Sequence, residues 1–284
     1  MGTGFEVISS ARDLHVLPEL EQYANDLEKL WTRFNATSEL MNLNVNAGKL
    51  IQVSNETAQL ISEMRRGFFV TDGLFNAGVL TQMQAAGFTS AAFEARTTPT
   101  SVDEFQELWN TVEIHEQAVY LPKGLAIDAG GIGKGLAADF IAARAMNSGV
   151  QGIVVNAGGE VAVRGESVNP DGWSVAVEDP FDEAETLAIV RLESGGLATS
   201  SPRGWIIDGN SHIIDPRTNE STQTEIIQAT VLSARTVDAE VLTKMCLLMP
   251  VQQSLVKIES LGAAALIVDN SNNVFQTANW SDFQ

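Results

Sequence analysis

Ala126-Ile-Asp-Ala-Gly-Gly-Ile-Gly-Lys-Gly-Leu-Ala-Ala-Asp139 places four glycines within six residues, between a stretch that reads as strand (119–128) and one that reads as helix (136–146). Glycine lets the backbone approach a ligand closely and leaves N–H groups able to point at an anion, and Lys134 adds a cation inside the loop. It is not a Walker loop, because Gly135 follows Lys134 and position 128 is Asp where that motif needs glycine. A loose dinucleotide match exists at Gly133-x-Gly135-x-x-Ala138, with Glu160 about a strand later, and it requires βαβ units downstream. A tight strand–helix turn with no ligand is the plainer alternative. The rest of the chain decides the fold.

Downstream there are hairpins. Gly152-Ile-Val-Val-Asn156, Glu160-Val-Ala-Val-Arg164, Trp173-Ser-Val-Ala-Val-Glu178 and Leu187-Ala-Ile-Val-Arg-Leu192 read as strands in close succession. Trp205 to Ile214 reads as a hairpin turning at Asp208-Gly209, Ile226 to Leu232 as a strand, and Ala263 to Trp280 as a closing hairpin around Asn270–Asn273. Upstream, the apolar spacing predicts a helix from Leu17 to Phe34, with Pro18 suited to the first turn. A second helix is predicted after Ser54, a third from the capping box Ser101-Val-Asp-Glu104, and a late one over Thr236 to Leu248. Helices first and antiparallel strands afterwards make an α+β protein. No repeat, low-complexity tract or linker divides it, so residues 1–284 are expected to form a single domain, or two intimately packed lobes.

Composition narrows the function. The chain of 284 residues is 44% apolar, which excludes a disordered protein, and its net charge of −19 sets it against nucleic acid and anionic lipid. An anionic ligand then needs a local device: backbone N–H groups, chosen cations or a bridging metal. The one cysteine, Cys246, excludes an intrachain disulfide and a Cys-rich metal site, and its apolar surroundings read as core. No 18-residue apolar run or export leader is visible, so the sequence as it stands reads as cytoplasmic, and as extracytoplasmic if a leader was removed.

Two further stretches carry polar chemistry. Ala198-Thr-Ser-Ser201 and His212-Ile-Ile-Asp-Pro-Arg-Thr218 concentrate hydrogen-bonding side chains beside a hairpin, although Asp215 and Pro216 alone would also make a capped turn. His15 and His115 stand in polar surroundings and are expected to face solvent. In Thr236-Val-Asp-Ala-Glu-Val-Leu-Thr243, Asp238, Glu240 and Thr243 are hard oxygen donors suited to Mg²⁺, while acidic first-turn residues also serve as an ordinary helix start.

Taken in order, these stretches resemble the ApbE-type flavin transferases, the FAD:protein FMN transferases. Met1-Gly-Thr3, Phe34-Asn-Ala-Thr-Ser-Glu-Leu-Met-Asn-Leu-Asn44, Thr71-Asp-Gly-Leu-Phe-Asn76, Asp128 through Asp139, Val155-Asn-Ala-Gly-Gly-Glu160, Ala198-Thr-Ser and His212 through Thr218 are similar to the family's signatures. The resemblance implies an ApbE-like, T-fold-like architecture. It also implies an enzyme that uses Mg²⁺ to move FMN from FAD onto a threonine hydroxyl of an acceptor protein, releasing AMP. Flavin contacts would fall on Met1, Phe34, Ser38, Leu74, Phe75, Asn76, Asp128, Lys134, His212 and Ile213, and metal ligands on the Gly131 carbonyl, Asp238 and Thr243. His212 and Asp215 are the candidates to orient or deprotonate the incoming hydroxyl.

Two departures from the family pattern stand out. Asn76 replaces its Asp, and the Asp it places four residues before Thr is here Ala239. Five helical residues turn ~500°, so Asp238 points ~140° away from Thr243 on a regular helix, and Glu240 is the better placed acid. The alternatives to transfer are an FAD-binding protein without transferase activity, an FAD pyrophosphatase giving FMN and AMP, and, more distantly, a Rossmann oxidoreductase.

Overall fold

The computed structural model describes residues 4–10, 12–89, 99–167, 169 and 172–284. The chain forms two compact units, one of residues 25–133 with 202–223, the other of residues 2–24, 134–201 and 224–284.

The second unit holds a seven-stranded sheet in the spatial order Phe5–Ser9, Gly152–Ala157, Glu160–Gly165, Gly195–Ser200, Ile226–Ser233, Ala264–Asp269, Val274–Gln276. Every neighbouring pair is antiparallel, which disposes of the dinucleotide-fold alternative, since that requires parallel strands. Val154, Val163, Leu197, Leu232 and Leu266 pack on one face with the Trp173–Asp179/Asp182–Leu192 hairpin and Trp280. The alternate residues, among them Val155, Ala198, Val231 and Ala265, are also buried, and the Thr236–Leu248 helix packs on the Gly195–Ser200 and Ile226–Ser233 strands. Burial on both faces makes Ile226–Leu232 a continuous buried run instead of an alternating one. At Gly196 an added Cβ would lie 2.4 Å from Thr236 Cα, so only glycine lets the helix start approach its strand.

The first unit is mostly helical. Glu39–Val45, Asn55–Val70, Leu80–Ala85 and Val102–Thr111 are helices, and Leu50–Gln52, Ala118–Tyr120 and Glu113–His115 make a small sheet. Its core includes Leu40, Leu60, Ile61, Met64, Phe68, Phe105 and Trp109. Ser54 and Ser101 cap their helices as the sequence indicates, by accepting the Thr57 and Glu104 N–H groups. Glu104 reaches back to the N–H of Thr100 in place of Ser101. Asp208 and Gly209 both have positive φ, as a two-residue hairpin turn between Ile206–Ile207 and Asn210–Ser211 demands.

Several boundaries differ from expectation. The strand predicted over 119–128 is only Ala118–Tyr120, because Pro122 lacks an N–H and Gly124 adopts φ 95°; the chain resumes pairing at Ala126, bridged to Val79. The first helix ends at Trp31, three residues before Phe34. The glycine-loop helix starts at Gly133, so Lys134 sits in its first turn. Phe5–Ser9 was not anticipated: as an edge strand it is mostly exposed and its five residues carry little pattern. Among the described residues, no helix is long and apolar enough to cross a membrane.

Candidate active site

In the first unit the glycine loop is held from its own ends. The Asp128 N–H donates to Ala77 O at 2.8 Å, and Asn44 clamps Ile127 by accepting its N–H and donating to its carbonyl. Asp128 Oδ2 accepts the Gly130 N–H at 3.0 Å and lies 3.6 Å from Arg33 Nη1. A Cβ at Gly130 would meet that same oxygen at 2.8 Å.

Arg33 is the residue the sequence did not single out. Its guanidinium carbon lies 5.1 Å from the Phe34 ring centroid and 5.3 Å from that of Trp205, a cation–π arrangement on a buried arginine. Trp205 also meets Phe88 edge-on at 4.8 Å and lies 6.4 Å from the His212 ring. His212 Nδ1 is 3.2 Å from the Trp205 carbonyl, a contact that calls for the tautomer with the proton on Nδ1. Phe34 itself is 58% exposed, an aromatic face open to a planar ligand.

Other residues named from the sequence are placed more structurally. Ser38 caps the Glu39–Val45 helix by accepting the Met41 N–H, and Leu74, Phe75 and Ile213 are buried. Asp215 receives the Arg217 side chain as a two-pronged fork at 2.9 and 2.6 Å, and also the Arg217 N–H. Asn76 Oδ1 accepts from Trp109 Nε1 and the Gly78 N–H. Asn76 Nδ2 and Arg33 Nη2 are buried donors with no hydrogen-bond partner among the described residues. Unmet buried donors of this kind are rare in a finished interior, and an acceptor-rich nucleotide such as FAD fits them. Met1 lies outside the described residues.

The second unit holds the charged cluster. Lys134 pairs with Glu160, whose Oε1 has no partner among the described residues. Glu240 Oε2 accepts the Gly135 N–H at 2.7 Å, and its Oε1 lies 3.5 Å from Lys244 Nζ. Burial, reinforced by Glu240, pushes the Glu160 carboxyl up to about 7, against the pull of Lys134 and Lys244. Burial lowers Lys134, but Glu240 and Glu160 more than reverse it; for Lys244 burial wins and the net shift is downward. Glu160, the acid about a strand beyond the loose dinucleotide match, is the counter-ion of Lys134.

The donors expected to hold Mg²⁺ are engaged within the protein. Asp238 takes both Arg235 Nε and Nη2, at 2.9 and 2.8 Å. Thr243 Oγ1 donates to the Glu240 carbonyl at 2.7 Å and lies 2.7 Å from Ser200 Oγ. The described residues contain no group of three or more His, Cys, Asp or Glu placed to hold a metal. Gly131, the other expected ligand, lies in the first unit. The side-chain oxygens of Asp238 and Thr243 are thus committed to protein partners and match a divalent cation poorly. Cys246 is core, as expected, with burial pushing its thiol up to about 12.

An antiparallel sheet in one unit, and in the other an unmet set of donors beside exposed aromatic surface, define an α+β protein built around a glycine-loop strand–helix connection. The chain belongs to the ApbE family, whose model matches residues 1–267. It is 25% identical to the FAD:protein FMN transferase of Haemophilus influenzae over 94% of this chain and 82% of that one. It is 28% identical to one from Klebsiella pneumoniae over 77% and 70%. In fold it is similar to the ApbE protein of Thermotoga maritima, with TM-score 0.84 and 22% identity over 99% of this chain and 96% of that one. It is similar too to the flavin transferase ApbE of Vibrio cholerae, with TM-score 0.80 and 22% identity over 100% and 96%.

Proposed function

We propose that this chain binds FAD and transfers its FMN moiety to a threonine hydroxyl of an acceptor flavoprotein, releasing AMP. The observation that carries this reading is membership of the ApbE family across residues 1–267, with relatives of that named activity matched over nearly the whole chain. In the reaction the hydroxyl oxygen forms a bond to the FMN phosphorus, the pyrophosphate P–O bond breaks, and AMP departs with the electron pair. The hydroxyl proton needs an acceptor. His212 suits that role, because an Nδ1–H donated to the Trp205 carbonyl makes Nε2 of the neutral ring the proton-accepting nitrogen. Asp215 is already paired with Arg217 and acts as the positioning group of that turn.

In binding, Phe34 offers its face to a flat ring, and Arg33 Nη2 and Asn76 Nδ2 supply donors. The loop backbone offers its N–H groups to the phosphates, with Asp128 shaping the loop by accepting the Gly130 N–H, whereas Lys134 is engaged with Glu160. Ser38, Leu74, Phe75 and Ile213 support the contact surface from within the first unit.

Incubation with FAD and a candidate acceptor, in Mg²⁺ and separately in EDTA, tests the reading. Covalent flavin fluorescence on the acceptor in a denaturing gel is the expected result. FMN and AMP without acceptor labelling would mean a pyrophosphatase. A second reading, an FAD-binding protein without transferase activity, is favoured by the engaged donors at Asp238 and Thr243, and would show bound FAD and no product.

A further inference from the structure

The late helix, Thr236–Leu248, carries Glu240 and Lys244 one turn apart, with side-chain exposures of 0% and 12%. The start of the Gly133–Asn147 helix brings Lys134 against Glu160, with exposures of 20% and 0%. Glu240 joins the two pairs: it accepts the Gly135 N–H, and its charge acts on Lys134, Glu160 and Lys244 alike. Two carboxylates and two ammonium groups thus form one buried cluster whose formal charges cancel.

A hard divalent cation needs about six oxygen ligands, with carboxylates to offset its charge. Around this cluster those oxygens are committed. Asp238 is held by Arg235, Glu240 by Gly135 and Lys244, and Thr243 by Ser200 and the Glu240 carbonyl. Glu160 gives one oxygen to Lys134, and only its Oε1 lacks a partner among the described residues. Ala239, one turn before Thr243, is fully buried and offers no side-chain oxygen. Adding a dication to a balanced cluster would set two charges against two ammonium groups in a low-dielectric interior, where like charges cost most.

We propose that the Lys134–Glu160–Glu240–Lys244 cluster takes the place of a divalent cation in this chain, so that the late helix binds none and FAD is held equally well without one. This rests, for its FAD half, on the reading that the chain binds FAD. Lys244 is the deciding residue, since it is the cation that neutralises Glu240 from the helix itself.

Two measurements on the full chain test it. Mn²⁺ titration followed by electron paramagnetic resonance reads the cation site directly, without turnover. Quenching of FAD fluorescence, in Mg²⁺ and in EDTA, reads the flavin. The wild type is expected to bind no Mn²⁺ tighter than ~100 μM, and its FAD affinity to differ less than ~10-fold between the two buffers. The double variant Ala239→Asp/Lys244→Ala, checked for folding by circular dichroism, is expected to gain one Mn²⁺ site. Wild-type protein that takes up one Mn²⁺ below ~100 μM, or loses FAD more than ~10-fold in EDTA, overturns the proposal. Failure to bind FAD in either buffer overturns the transferase reading and the FAD half of this one, while the Mn²⁺ titration still decides the cluster.

Discussion

Asp139, on the glycine-loop helix, reaches the start of the late helix: its two oxygens accept the Thr236 and Val237 N–H groups at 3.1 and 3.0 Å, while Arg164 donates to Oδ1 at 2.7 Å. Arg235 at the helix cap makes no side-chain capping bond of its own, so Asp139 performs that function from another element. Asp139→Ala should therefore cost about 2 kcal/mol, because it uncaps the helix and removes the carboxylate paired with Arg164, which keeps its bonds to the Val163 and Gly195 carbonyls. Urea unfolding of both proteins measures it, and a loss under about 0.5 kcal/mol would contradict the capping role.

Phe34 is exposed in its own unit and contributes little to the core. Phe34→Ala should leave unfolding free energy within about 0.5 kcal/mol of the parent and weaken FAD about 10-fold, as expected for losing one stacking face. Fluorescence quenching of FAD and thermal unfolding, measured on the same preparation, separate the two effects. An unchanged FAD affinity would remove Phe34 from the flavin surface.

His212→Gln keeps a hydrogen-bonding side chain near Trp205 but lacks an imidazole able to accept a proton. Its expected signature is a fall in transfer kcat of about 10²–10⁴-fold with FAD affinity changed less than 10-fold. Stopped-time in-gel flavin fluorescence gives the rate. Equal losses in binding and turnover would make His212 a binding residue only.

Glu160 ties stability to pH. Its carboxyl sits at about 7 in the folded protein against the ordinary 4.5. Between those two pH values the folded state holds a proton the unfolded state has released, and above 7 Glu160 is the charged partner of Lys134. The associated stabilisation is complete below pH 4.5 and is lost as pH rises through 7, by at most about 3 kcal/mol. Glu160→Gln abolishes this titration. The stability advantage of wild type over Glu160→Gln should therefore shrink between pH 5 and pH 7.5, which thermal unfolding at the two pH values will read. An advantage that grows with pH would reverse the assignment.

The helices and hairpins were legible in the sequence because local chemistry sets them. Ser54 and Ser101 mark helix starts by satisfying N–H groups three residues on, and Asp208-Gly209 supplies the positive φ a tight hairpin requires. The order of motifs along the chain likewise announced the family, since Asp128 to Asp139 and His212 to Thr218 are contiguous. Spacing also showed that Ala239 leaves no acid one turn before Thr243. Tertiary structure alone decided which charges meet. Lys134 and Glu160 lie 26 residues apart, and Gly135 and Glu240 lie 105 apart. The Phe5–Ser9 strand finds its partner at Gly152–Ala157, and Arg33 reaches Trp205 across most of the first unit's sequence. Periodicity reports the face a residue presents within its own element. Which opposite charge or ring lies against it depends on loop closure and packing, where a lysine on a glycine loop reads the same whether it awaits a phosphate or already holds a carboxylate.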